Sequence, residues 1–334
     1  YRHLDRLTRV YEYMGPAWYQ REIEIPAAWK GKRIFLYFER THWLSSVYVG
    51  KEEVSKIDYI SIPHNHELTQ WLHPGKKELI TFCIDNRYQY DTHKWDHAHS
   101  EFTQINWNGV LGEIKLVAVD PVYVDDMQVY PDIKNKSIKV KMTVRNCTEH
   151  TASGKISFHV SGKDYRLQKE VPVTVTDSIT YIEEEMFLSK DIHLWNEFHP
   201  NLYTLDCKLT SSVEGQSYAH EKSTTFGMRE VEAGEDHIIL NGEPIHLRGT
   251  VENAVFPKTG YAPVDDASWE RVLRILKEYG MNHMRFHSWC PPEAAFNVAD
   301  RMGFYLQVEL PLWTLNVGED KGTVDFLYTE AAHI

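Results

Sequence analysis

Apolar and polar side chains alternate one by one through the first two thirds of the chain. Ile138, Val140, Met142 and Val144 are separated by Lys139, Lys141 and Thr143, the period of a strand with one face buried and the other in water. Ile34, Leu36 and Phe38 are interleaved with Phe35 and Tyr37 instead, which predicts a strand covered on both faces. Turn signals such as His73-Pro74-Gly75 and Val213-Glu214-Gly215 separate the runs. Two all-β units fit this length, with a boundary near Asp120-Pro121 and an end near residue 228.

From about residue 229 the period changes. His237–Leu240 and Pro244–Arg248 flank Asn241-Gly242, a strong hairpin signal. Asp265-Asp266 can then cap a helix in which Trp269, Val272, Leu273 and Leu276 recur at helical spacing, with Gly280 as its stop. Met281–His287 follows as a strand. Pro291-Pro292 opens a second helix carrying Ala295, Val298, Ala299 and Met302, Gly303 closes it, and Phe304–Glu309 is a further strand. Strand, helix, strand, helix, strand implies right-handed parallel units.

With Pro244–Arg248 taken as the first of these strands, one face of the sheet carries His246 and Arg248, then His283, Arg285 and His287, then Tyr305, Gln307 and Glu309. The opposite face carries Ile245, Leu247, Met284, Phe286, Phe304, Leu306 and Val308. Polar groups gathering toward strand C-termini are what the mouth of a (β/α)8 barrel presents. An internal ion-pair layer, with Arg248 or Arg285 against Glu309, fits the same pattern.

Composition narrows the class. The 334 residues carry a formal net charge of −12, with 42% hydrophobic and 25% charged positions, as a multidomain globular protein does. No apolar run approaches the roughly 20 residues a membrane-spanning helix needs. The acidic balance argues against nucleic acid, whose phosphates demand a basic face. The 10 Trp and 19 Tyr can stack on sugar rings or fill β-sheet cores, and composition alone favours the core. Cys83, Cys147, Cys207 and Cys290 are far apart, without metal-finger spacing. No glycine-rich phosphate loop or nucleophile elbow is present.

Five motifs in one order carry a resemblance. Gly15-Pro16-Ala17-Trp18-Tyr19-Gln20-Arg21 before Ile25-Pro26, and Trp107-Asn108-Gly109-Val110-Leu111-Gly112-Glu113-Ile114, resemble the sugar-binding domain of glycoside hydrolase family 2. Leu194-Trp195 with Pro200-Asn201-Leu202-Tyr203 resembles that family's immunoglobulin-like domain. Phe226-Gly227-Met228-Arg229 followed by Leu240 to Gly249 is similar to its approach to the TIM barrel. Asn282-His283-Met284-Arg285, then Ala299-Asp300-Arg301-Met302-Gly303-Phe304-Tyr305, resembles barrel strands two and three. Where the family often reads S-H-Y-P, this chain has Phe286-His287-Ser288-Trp289-Cys290-Pro291-Pro292, with the histidine displaced by one position.

The resemblance implies a jelly-roll-like sugar-binding β-sandwich over 1–119 with its opening strands missing. An immunoglobulin-like β-sandwich over 120–228 and the first three βα units of a truncated TIM (β/α)8 barrel over 229–334 follow. It implies a retaining exo-β-glycosidase working through two glutamates, both placed beyond Ile334, so the chain alone is expected to be inactive. β-Galactosidase leads β-glucuronidase and β-mannosidase, and a non-catalytic carbohydrate-binding protein is the competing class. The implied partner is an oligosaccharide or a polysaccharide-derived glycoside. No cofactor, metal, nucleic acid or membrane is implied, a homo-oligomer is compatible, and a bacterial periplasmic or secreted setting is favoured over the cytoplasm.

Arg285 resembles the strand-two arginine that keeps the family's nucleophile ionised; the bland alternative is a barrel-wall salt bridge. His287 and Trp289 offer an imidazole and an indole platform to a pyranose, or belong to the core. Glu252 and Asn253 follow strand one as sugar ligands or as a solvated loop. Glu309 touches sugar or pairs with Arg248, pairing being preferred. Asn106 and Asn108 flank Trp107, either reaching the site from outside or serving local turns. His93, His97 and His99 with Asp91 and Asp96 read as a polar loop over the sugar site rather than a zinc site. Asn196-Glu197, the only Asn-Glu pair, falls before the βα units and is read as a β-domain turn.

Overall fold

The computed structural model describes residues 13–93, 95–100, 106–315 and 320–334. The leading residues of the expected 1–119 unit lie outside this range. The first unit contains β1 (Pro16–Glu24), β2 (Arg33–His42), β3 (Leu44–Val49), β4 (Glu52–Ile57), β5 (His64–Glu67), β6 (Lys77–Asp85) and β7 (Gly109–Val119). They form two antiparallel sheets, ordered β1-β6-β3-β4 and β5-β2-β7. Ile34, Leu36 and Phe38 of β2 pack between them with Val47, Ile80 and Ile84.

The second unit contains β8 (Val122–Asp132), β9 (Ser137–Asn146), β10 (Ala152–Gly162), β11 (Tyr165–Val175), β12 (Ile179–Phe187), β13 (Tyr203–Val213) and β14 (Gln216–Phe226). Sheets β11-β10-β13-β14 and β12-β9-β8 face each other, with β12 crossing back to β9 as in immunoglobulin-like sandwiches. The alternation read in β9 is realised: Ile138, Val140, Met142 and Val144 are buried at 2% exposure or less.

A small antiparallel sheet leads into the last segment: β15 (Val231–Ala233), β16 (Ile238–Leu240) and β17 (Glu243–Ile245). Asn241 and Gly242 both take positive φ, 54° and 85°, as a tight hairpin turn demands. Next come β18 (Gly249–Glu252), α1 (Asp266–Glu278), β19 (His283–Phe286), α2 (Glu293–Met302), β20 (Tyr305–Gln307) and α3 (Lys321–His333). Strands β18, β19 and β20 are parallel and open at both edges, so the described residues contain three strands of a sheet and no closed barrel.

The helices form where the apolar period placed them. The Asp265 side chain caps α1 by accepting the Ser268 N–H at 2.8 Å, and Trp269 and Leu273 face inward. Gly303 ends α2 at φ 67°, and a Cβ there would lie 2.5 Å from the Glu197 carbonyl oxygen. The expected first parallel strand is corrected. The hairpin consumes 243–245, and the parallel strand begins only at Gly249, so His246 and Arg248 precede it. Asn282 holds that bend, accepting the Arg248 N–H at 2.7 Å and donating to the His246 carbonyl at 3.0 Å.

Asn196 and Glu197 belong to a turn, as expected. The Asn196 side chain accepts the N–H groups of Phe198 and His199. The Glu197 carboxylate accepts from Asn282 at 2.5 Å, and the Trp195 indole donates to the Asp300 carbonyl at 2.8 Å. The second sandwich thus grips the N-terminal end of the βα layer, opposite the strand C-termini. Among the described residues no helix is long and apolar enough to cross a membrane.

Candidate functional site

The parallel register decides which polar groups meet. Gly249, His283 and Tyr305 lie side by side, as do Val251, Arg285 and Gln307. Met284 and Phe286 point the other way, into the layer under α1 and α2. Arg285 therefore projects from the uncovered face of the sheet. Its Nε–H donates to Glu309 Oε1 at 2.5 Å, and the Ser288 N–H donates to Oε2 at 2.8 Å. Burial disfavours the charge on Glu309, but these two donors outweigh it and hold the carboxyl below the usual carboxylate range. His287 Nδ1 lies 3.5 Å from the same Oε2 and 3.0 Å from Ser288 Oγ. The anticipated Arg248–Glu309 pair is corrected: Arg248 sits before β18, donates to the Gly280 carbonyl at 2.7 Å and lies 3.6 Å from Glu197.

A loop of the first sandwich roofs this cluster. Buried Asp96 organises the loop, accepting from Thr92 Oγ1 at 2.7 Å and from the Ala98 N–H at 2.9 Å. His97 is thereby carried over the strand ends, its ring 4.8 Å from that of His287 and its Nδ1 3.1 Å from Ser288 Oγ. Burial, and then the neighbouring His287, push the His97 imidazole down to about 4, so it is neutral at pH 7. Among the described residues no group of three or more His, Cys, Asp or Glu could hold a metal ion.

The remaining candidates fall elsewhere. Trp289 is 2% exposed, packed edge-on to Phe286 and Phe256, with its indole N–H 3.2 Å from the Glu252 carbonyl oxygen. Glu252 pairs in register with Phe286 and turns back on its own loop, accepting the N–H groups of Ala254 and Val255 at 2.7 and 3.0 Å. Burial pushes its carboxyl up to about 7 against those donors. Asn253 has a buried side-chain oxygen without a hydrogen-bond partner. Asn106 exchanges hydrogen bonds with Asn86, and Asn108 donates to the Gly15 carbonyl at 2.8 Å, so both serve the first sandwich. Trp107 between them lines a cavity of about 30 Å³ with Arg40, His42, His97, Tyr261 and Trp289. That space holds a water molecule, not a sugar ring.

Residues 122–229 match the family model described as glycosyl hydrolases family 2. That match spans the second sandwich. It is 23% identical over 312 residues to a β-galactosidase of Thermoanaerobacter pseudethanolicus, covering 92% of this chain and 41% of that protein. A β-glucuronidase of Streptococcus agalactiae is 24% identical over 350 residues, covering 96% and 55%. Among solved structures, Bacteroides uniformis β-glucuronidase 2 superposes with TM-score 0.76 at 18% identity over 94% of this chain and 38% of that one. A β-galactosidase-like structure from Bacteroides fragilis gives 0.77 at 19% over 90% and 45%. These likenesses show a shared fold, and the chain spans roughly half or less of each relative.

Sequence reasoning brought Arg285, His287 and Glu309 together, because period-2 alternation puts them on one face. It missed Ser288 as the backbone donor to Glu309. It assigned the 91–99 loop to a roof over the site without singling out His97, whose partners lie about 190 residues away in the chain.

Proposed function

We infer that this family 2 chain supplies one wall and the roof of the sugar site of a retaining exo-β-glycosidase, with β-galactosides the leading substrate class and β-glucuronides next. The observation that carries this reading is the meeting of Arg285, His287 and Glu309 at parallel-strand C-termini under His97. An ionised Glu309 accepts hydrogen bonds from sugar hydroxyls, and neutral His97 can either donate or accept. In retaining enzymes one carboxyl protonates the leaving oxygen and another attacks the anomeric carbon, about 5–5.5 Å apart. Neither role is assigned to a residue of this chain, and a TIM barrel completed by further βα units is the setting proposed for both. Arg285 would lower the pKa of a nucleophile carboxylate beside it and keep it charged at neutral pH.

The complete gene product should hydrolyse a nitrophenyl β-D-galactoside faster than the β-D-glucuronide, while the 334-residue chain alone hydrolyses neither. In the complete protein Arg285→Ala should cost about 2–4 kcal/mol in kcat/KM with a small change in Tm, the scale of losing one preorganised electrostatic partner. A wall salt bridge without a catalytic role would reverse that pattern. A kcat/KM within about threefold of the parent removes Arg285 from the mechanism.

A further inference from the structure

Three distant stretches of the chain meet around a single peptide segment. Glu330 on α3 is 1% exposed, and its carboxylate oxygens accept the N–H groups of Ile60 and Ser61, each at 3.0 Å. Arg40 of β2 donates from Nη1 to the Ser61 carbonyl at 2.9 Å and from Nη2 to the Cys290 carbonyl at 2.6 Å. Ser61 is thus held by a carboxylate of α3 and by a guanidinium of the first sandwich. The second arm of that guanidinium reaches the loop after β19. A planar fork of donors can bond two carbonyls at fixed angles, which a lysine ammonium does not reproduce. Burial lowers the pKa of Arg40, and the nearby Cys290 and Glu330 act against that.

The loop reached by Arg40 also builds the site. Cys290 stands two residues after Ser288, whose N–H fixes Glu309 and whose Oγ faces His97. We propose that Arg40 and Glu330 are positioning residues. They lock the first sandwich, α3 and the 288–290 loop into one unit, and His97 and Glu309 hold their places only while that lock is closed. The lock stands on geometry, and its consequence for substrate rests on the functional reading above.

The test uses the 334-residue chain. Glu330→Gln keeps the shape but turns one of the two acceptor positions into a donor. Arg40→Lys keeps the charge but loses the planar fork that bonds both carbonyls at fixed angles. In each variant, NMR titration should move the His97 imidazole from about 4 toward its ordinary value by about one unit or more, as the roof loosens and water reaches it. A purely structural role lowers Tm and leaves His97 unmoved in molecules that remain folded; that result overturns the proposal. Hydrogen exchange on the unmodified chain decides the matter even if both variants fail to fold. The amides of Ile60, Ser61 and Ser288 should open with one free energy and one denaturant dependence. A Ser288 amide that opens alone at lower cost sinks the lock. A complete enzyme that cleaves no β-glycoside would overturn the functional reading while leaving these readouts as they are.

Discussion

The second sandwich and the βα segment differ in where their cores come from. Every buried residue of the second sandwich's cluster, from Val122 to Met228, belongs to that unit. The βα segment draws Ala98 of the first sandwich into its own cluster. Its last helix takes much of its cover from the first sandwich, beside Leu310 and Leu312 of its own segment: Phe326 stacks on Tyr90 at 4.5 Å and packs against Trp43 at 5.5 Å, both in the first sandwich. Antiparallel hairpins bury one face with local partners, whereas parallel strands need crossovers and leave edges until the sheet closes. Clear helical periodicity therefore does not imply a self-sufficient domain.

The strongest test separates the two regions. Expressed alone, residues 120–228 should melt cooperatively, while residues 229–334 should show neither near-UV dichroism nor a cooperative transition. A sharp melt of the isolated 229–334 segment would break the comparison outright.

Next in size are two large-to-small changes. Trp43→Ala and Phe158→Ala should each cost about 3–5 kcal/mol, since both side chains are 1% exposed or less. Their reach should differ. Loss of Trp43 should also expose amides of α3 to exchange, because its ring touches Phe326, whereas loss of Phe158 should disturb the second sandwich only. Equal disturbance of α3 by both variants would count against the borrowed cover.

Acid should then act unevenly. His64 and His66 lie buried in the first sandwich, joined through Ser45 Oγ at 2.6 and 2.8 Å. Burial pushes them down to about 4 and about 3. Unfolded, each titrates near about 6.5. The unfolded state therefore binds more protons below that pH, and stability falls as pH drops from about 6.5 toward the folded values. For His64 the loss approaches roughly 3 kcal/mol at pH 4. Melts of the whole chain at pH 7.5 and 5 should show the first sandwich and α3 weakening ahead of the second sandwich. Parallel weakening of all three would refute this.

The smallest effect sharpens the scale. Lys208 and Glu221 pair across β13 and β14 with side chains 53% and 70% exposed. Lys208→Ala should change stability by about 0.5 kcal/mol or less, because water and salt screen such pairs. A denaturation midpoint shifted as far as by Phe158→Ala would mean that surface charge, not the private core, holds this sandwich.

Local order was set by the sequence. Strand alternation in β9, the cap of α1 at Asp265, the stop of α2 at Gly303 and the shared face of Arg285 and Glu309 all follow from spacing and residue type within a few turns of chain. The tertiary structure decided the rest. The hairpin at Asn241-Gly242 used up the residues expected to begin the parallel sheet, and so gave Glu309 to Arg285 instead of Arg248. His97 reached the strand ends through a loop without period, and Glu330 became an anchor only because Ile60 and Ser61 present two free N–H groups to it. Periodicity records which face of an element is apolar. Which distant backbone a charged side chain will meet depends on how whole units dock, and no local spacing encodes that.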